Sequence, residues 1–282
     1  MRCRGDEVGG PLIQFEGFTD QQLDQFRRYQ AVSYGVLEEV AARIAPGVTE
    51  RDATRWAMKA YRREGAERYF HLPVALFGER TALPDPWSTA SFWPTDRALE
   101  PGDPFLLDAS PIFDGYVVDT SISCSPEPSP THAAAMADDL VYRVTILDAV
   151  RSGATFREIA LTVDSDMTQR GDRNCHGLHP EGVLGHRVVR ITNPDAAPPP
   201  DPSGFDATVL GWFIDGIAAA QERGEPSPTW NDRATSDHRP SPGLWAVEPH
   251  LARGDVGVKW EELLVVEDRD AYWLDEDVPH RR

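Results

Sequence analysis

The chain has 282 residues, enough for one large domain with a sizeable core. Its 28 basic against 46 acidic residues give a net charge of −18 and a sequence pI near 4.8, which argues against nucleic acid and anionic membrane surfaces, because both need clustered Lys and Arg. Cys3, Cys124 and Cys175 are odd in number and widely spaced, so they form no disulfide framework and point to a reducing, cytoplasmic compartment; the sequence also holds no signal peptide and no apolar run of membrane-spanning length.

In chain order, residues 1–18 read as a polar, flexible tail. Residues 19–44 carry apolar side chains at helical spacing, from Leu23 and Phe26 to Val40 and Ile44. A stop at Pro46-Gly47 and a fresh start at Thr49, with Asp52 in the capping-box position, predict a second helix. Next, 105–113 and 116–122 are apolar-rich runs joined by Asp114-Gly115, the strongest short-range hairpin signal. A two-residue turn there sets Ser110 opposite Asp119 and puts Asp108 on the same face, diagonal to Asp119. Burying an unpaired charge is costly, so two inward carboxylates on one face call for a cation between them.

The helix, glycine, threonine-cap, helix pattern returns over 141–171, where Gly153 and Thr155 repeat the spacing of Gly47 and Thr49. Each copy precedes a strand-rich region, so one repeat of about a hundred residues predicts an α+β fold with duplicated, pseudo-twofold halves. In "VLGHRVVRI", His186 interrupts a strand-like run. The segment 193–243 clusters proline and glycine around one amphipathic helix at 206–223 and reads as a lid insertion that restricts water. Finally, "LWAVEPHLARGDVGVKWEELLVVED" (244–268) repeats the acidic hairpin. Under a two-residue turn at Gly254-Asp255, Glu248 faces Glu261, with a bend expected at Pro249, which cannot donate to a ladder. Four inward acids with one imidazole suit Mn, Fe, Co or Zn, and shared carboxylates can bridge two ions roughly 3.5–4 Å apart.

The order Asp108, Asp119, Gly185-His186, "EP" at Glu248 and "GVKWEE" at Glu261 is similar to the methionine aminopeptidase and creatinase family, which includes prolidases and aminopeptidase P. Through "ALEPGDPFLLDAS" and "GVKWEE" the chain most resembles the creatinase branch, without a separate amino-terminal domain. The resemblance implies a pita-bread fold, one catalytic domain over 19–282, and two divalent metal ions. Asp119 and Glu261 would serve both ions, Asp108 one, and His186 and Glu248 the other. The chain departs from the family where a histidine is expected ahead of the first aspartate, since 84–91 read "PDPWSTAS", and where a further histidine is expected soon after the ligand histidine, since "RVVRITNP" follows with Arg187 in place of the usual glycine. His238, leading from the lid toward Glu248, is the candidate catalytic substitute. Arg187 could clamp a substrate carboxylate, and His71 is a further substrate-binding candidate. The resemblance thus implies a metal-dependent hydrolase like an Xaa-Pro aminopeptidase or dipeptidase, acting on a short peptide or small molecule, with Glu248 moving a proton. The alternatives are a non-peptidase hydrolase or lyase on the same fold and a catalytically silent binding module; a homodimer is left open.

Overall fold

The computed structural model describes residues 12–84 and 88–282. Ile13–Gln14 (β1) pairs with a strand near residue 190, so the described chain enters a sheet before residue 19; the remainder of the predicted tail, 1–11, lies outside the described residues. Thr19 forms a capping box with Gln22 on α1 (Asp20–Ala41), which buries Phe26, Val36, Leu37 and Val40. The predicted second helix is α2 (Glu50–Arg63), capped by Thr49, whose hydroxyl accepts the Asp52 N–H. β2 (Arg68–Phe77) then pairs antiparallel with β3 (Phe105–Phe113). At the hairpin turn Asp114 and Gly115 both have positive φ, 49° and 84°, the conformation that favours Asp-Gly in a type I′ turn. The chain returns as β4 (Tyr116–Val117) and β5 (Thr120–Cys124). Ile112 opposes Val117 and Asp108 opposes Ser121, the register that a two-residue turn dictates.

The second half repeats the plan. α3 (Pro130–Ser152) begins well before the predicted Val141, because Ser129 caps it and Pro130 fills a first-turn position where no N–H is needed. Gly153, at φ 80°, closes α3 in the left-handed conformation, and Thr155 with Glu158 opens α4 (Phe156–Arg170) as a capping box. The strands β6 (Arg173–Asn174), β7 (Gly185–Val188) and β8 (Arg190–Ile191) lead to the inserted helix α5 (Ala207–Arg223), capped by Asp206. The chain ends in β9 (Thr229–Trp230), β10 (Gly243–Val247), β11 (His250–Arg253), β12 (Val256–Lys259), β13 (Glu262–Val266) and β14 (Ala271–Trp273). His250 opposes Lys259 and Val247 opposes Glu262, so one register runs through the break at Glu248-Pro249.

These strands form three antiparallel sheets, ordered β1-β8-β4-β3-β2 with β5 on β3, β14-β13-β10-β7-β9, and β12-β11-β6. Alternation along β10 decides which helix pair each face meets: Leu244 and Ala246 join the core with Phe26, Leu37 and Tyr61, whereas Trp245 and Val247 pack with Phe156, Ile159 and Val163. The result is an α+β fold with a helix pair in each half. Among the described residues no helix is long and apolar enough to cross a membrane.

Candidate metal centre

Both acidic hairpins deliver their carboxylates to one place. Asp108 comes from β3 and Asp119 from the step between β4 and β5; Glu248 sits in the break between β10 and β11, and Glu261 between β12 and β13, bridged to Ser121. All four are buried. Lys259 lies among them, its Nζ 2.6 Å from Asp108 Oδ2, 2.8 Å from Glu248 Oε2 and 3.1 Å from Glu261 Oε2. Period-two alternation puts Lys259 on the same face as Glu261, a signal legible in "GVKWEE".

Two imidazoles flank Asp119. His71 Nε2 is 3.2 Å from Asp119 Oδ1 and 3.5 Å from Asp108 Oδ1, and His186 Nε2 is 3.3 Å from Asp119 Oδ2, 3.8 Å from Glu261 and 3.9 Å from Glu248. Each ring donates its Nδ1–H to a backbone carbonyl, His71 to Leu72 and His186 to Arg187, both at 3.0 Å. A carbonyl only accepts, so the neutral ring turns its Nε2 lone pair toward the acids, the tautomer a metal ligand needs. The charges fit a cation as well. Burial works against protonation of His71, but Asp119 and Asp108 push its pKa up to about 9. Burial together with the Asp119 charge drives Glu261 well above the usual carboxylate range. Asp108 Oδ1 and Asp119 Oδ2 are buried and accept no hydrogen bond. Asp119, His186 and Glu261, and likewise His71, Asp108 and Asp119, bring one donor atom each within 4.8 Å of one another, so either group could hold an ion.

Behind Glu248 runs a chain of histidines. His250 Nε2 is 2.7 Å from the Thr81 carbonyl oxygen, His250 Nδ1 is 3.0 Å from His179 Nε2, and His179 Nδ1 is 3.0 Å from Glu248 Oε2. A carbonyl only accepts, so His250 donates to Thr81 from Nε2. Burial holds the His250 pKa well below its ordinary value.

The structure brings some of the other candidates to the cluster and turns others away. The histidine sought near 84–91 is instead His71: the long connection over 78–104 displaces the count along the chain, while strand pairing sets His71 opposite Ser110. His71 therefore touches the acids, not only a substrate. No histidine follows His186 closely, but His179, seven residues before it, lies on Glu248 while His186 lies on Asp119. Arg187 is spent elsewhere: its guanidinium donates to Phe15 O and Ser241 Oγ and lies over the Trp245 ring, and pleat alternation puts it on the face opposite His186. His238 lies outside the cavity, hydrogen-bonded to Arg239 O and Ser227 N and set edge-on to Phe156.

The cluster floors a cavity of about 720 Å³. Phe70, Phe92, Trp93, Leu210, Phe213 and Ile217 line its walls, three of them from α5, so the inserted helix covers the site as a lid would. Phe70 and Phe213 stack at 5.0 Å, and each lies 5.6 Å from the His186 ring.

The sequence matches the model of metallopeptidase family M24 over residues 24–268. The chain belongs to metallopeptidase family M24. Its pita-bread fold has solved neighbours. The X-Pro aminopeptidase from Thermotoga maritima is 18% identical with a TM-score of 0.68, covering 94% of this chain and 64% of that one. The Pyrococcus furiosus prolidase is 16% identical with a TM-score of 0.66, covering 93% and 65%. The Xaa-Pro dipeptidase from Bacillus anthracis is 19% identical with a TM-score of 0.65, covering 92% and 61%. This M24 chain thus spans less than two thirds of the length of these structures, and at such identity the likeness is one of fold. No curated protein matches the sequence.

Proposed function

We propose that this M24 chain is a metal-dependent hydrolase of amide-type bonds in small substrates, with short Xaa-Pro peptides the first class to test. The observation that carries the reading is the convergence of four buried carboxylates and the Nε2 atoms of His71 and His186 on the floor of one cavity, with Asp108 Oδ1 and Asp119 Oδ2 lacking a hydrogen-bond donor. Asp119, His186 and Glu261 would hold a divalent ion, which when bound would polarise the scissile carbonyl and lower the pKa of water. The protein supplies the rest. Glu248, positioned by its hydrogen bond to His179 at 3.0 Å, would take up a proton and pass it to the leaving nitrogen. His71, the more exposed imidazole, offers an Nε2 hydrogen to the substrate oxygen on the cavity side. Phe70 and Phe213 exclude water from the reacting face.

A second reading, hydrolysis or cleavage of a small non-peptide substrate, is favoured by one observation. Among the described residues that line the cavity there is no arginine, and Lys259 is taken by three carboxylates, so a free substrate carboxylate finds no guanidinium or free ammonium there. The experiment compares Xaa-Pro dipeptides, longer Xaa-Pro peptides and neutral amides as substrates of the manganese-reconstituted protein, with and without chelator. Chelator-sensitive turnover of any class, abolished in Asp119→Asn and Glu261→Gln, is expected. Turnover that survives complete chelation would refute metal dependence.

A further inference from the structure

The family resemblance calls for two ions, yet this cluster already contains a cation of its own. Three carboxylate oxygens, from three separate segments, point at one spot, and the Lys259 ammonium occupies it at 2.6, 2.8 and 3.1 Å. An ion taking Asp108 Oδ2, Glu248 Oε2 and Glu261 Oε2 together would have to sit where Nζ sits. Nor is the lysine free to swing away. Its side chain is buried, and its backbone is held from both directions by Ser123, whose Oγ accepts the Lys259 N–H at 2.7 Å and donates to the Lys259 carbonyl at 2.8 Å. On its other side Lys259 opposes His250 in the β11–β12 ladder.

We propose that the Lys259 ammonium permanently fills one of the two cation places of the cluster, so that the centre binds a single divalent ion, on Asp119, His186 and Glu261. The proposal rests on the metal-dependent reading above and sets its ion count at one, where the resemblance implies two. The oxygens that Lys259 leaves open, Asp119 Oδ2, Glu261 Oε1 and Glu248 Oε1, are the ones that face His186 Nε2, at 3.3, 3.8 and 3.9 Å. The other donor group, His71 with Asp108 and Asp119, shares Asp119 with the first, and its Asp108 already holds Lys259 through Oδ2. Charge balance points the same way. With both imidazoles neutral and all four carboxylates ionised, as ion binding requires, the acids and one ammonium carry three negative charges, so one divalent ion brings the buried cluster to minus one and a second would carry it to plus one. Two cations roughly 3.5–4 Å apart are tolerated where shared carboxylates neutralise both. Here the acids that would neutralise the second are already paired with Lys259.

The test is ion stoichiometry, read without reference to activity. Wild type and Lys259→Met are stripped with chelator, reloaded with Mn(II), desalted and analysed for manganese per chain, and the loaded wild type is examined by electron paramagnetic resonance. Expected are about one ion in wild type, about two in Lys259→Met, and the spectrum of isolated Mn(II) in wild type. About two ions in wild type, or a spin-coupled pair in its spectrum, overturns the proposal and leaves the metal-dependent reading standing. A Lys259→Met protein that still binds about one ion overturns it too. No bound ion in wild type overturns both the proposal and the reading beneath it. Should Lys259→Met fail to fold, the wild-type spectrum alone decides.

Discussion

Glu50 is the side chain through which the first helix pair positions the cavity wall, and Glu50→Gln isolates that role. The carboxylate is fully buried and accepts four hydrogen bonds: Phe77 N–H at 3.0 Å, Arg80 Nε–H at 2.8 Å, Thr95 N–H at 2.8 Å and Thr95 Oγ1–H at 2.7 Å. It thereby ties the first turn of α2 to the end of β2 and to the far end of the connection over 78–104, which carries Phe92 and Trp93 into the cavity wall. Arg80, once oriented by Glu50, donates to Ser91 O at 2.8 Å and Trp93 O at 3.0 Å, so the two interactions are linked. Glutamine preserves shape, removes the charge, and presents an NH₂ group to donors that need acceptors. Removing one partner of a buried ion pair costs roughly 3–5 kcal/mol. Arg80 keeps some solvent contact, at 20% side-chain exposure, which places the expected loss near the lower end of that range. For a chain of this size that is a fall in Tm of about 6–12 °C. Calorimetry should show it, limited proteolysis should find new cuts within 78–104, and KM should rise more than kcat falls, because the wall and not the reacting groups has loosened. A Tm within about 2 °C of wild type, with an unchanged digestion pattern, would refute the account.

Other expectations are as direct. In Gly257→Ala the new Cβ would stand 1.9 Å from Thr81 O while the Gly257 N–H still needs Thr81 Oγ1 at 2.9 Å, so β12 or the connection must shift; a loss of about 1–3 kcal/mol is expected in a denaturant melt. Asp139 is buried with neither carboxyl oxygen partnered, and burial with the Asp172 charge raises its pKa well above the ordinary value. The folded state thus holds a proton that the unfolded state releases from about pH 4 upward, and the stability Asp139 contributes below that pH is lost as pH rises through the folded value. Asp139→Asn should match wild type near pH 4 and become the more stable of the two by about pH 8; a constant difference across that range would contradict the assignment. Phe213→Ala removes the ring that packs on both Phe70 and His186 and should cost about 3–5 kcal/mol, with turnover of bulky apolar substrates falling more than that of small ones. Equal losses for both would mean that the lid helix plays no part in selection.

Local chemistry carried much of this protein in its sequence. Two Asp-containing turns, Asp114-Gly115 and Gly254-Asp255, fix registers within a few residues of themselves, and period-two alternation then dictates that Asp108 with Asp119, and Glu248 with Glu261, face inward. Threonine caps at Thr19, Thr49 and Thr155 start three of the helices for equally local reasons, and the lid helix was bounded by its own caps. What tertiary structure alone decided is which side chains from distant segments meet those acids. His71 reaches Asp119 because β2 lies beside β3, whatever the length of the chain between them, and counting along that chain pointed to 84–91 instead. His179 enters behind Glu248, while Arg187 and His238 turn away; Lys259 was visible two residues before Glu261, but its three carboxylate partners were not. A turn sets register by backbone geometry that a short sequence encodes, whereas contact between remote segments depends on how whole sheets and helices pack, which no local pattern specifies.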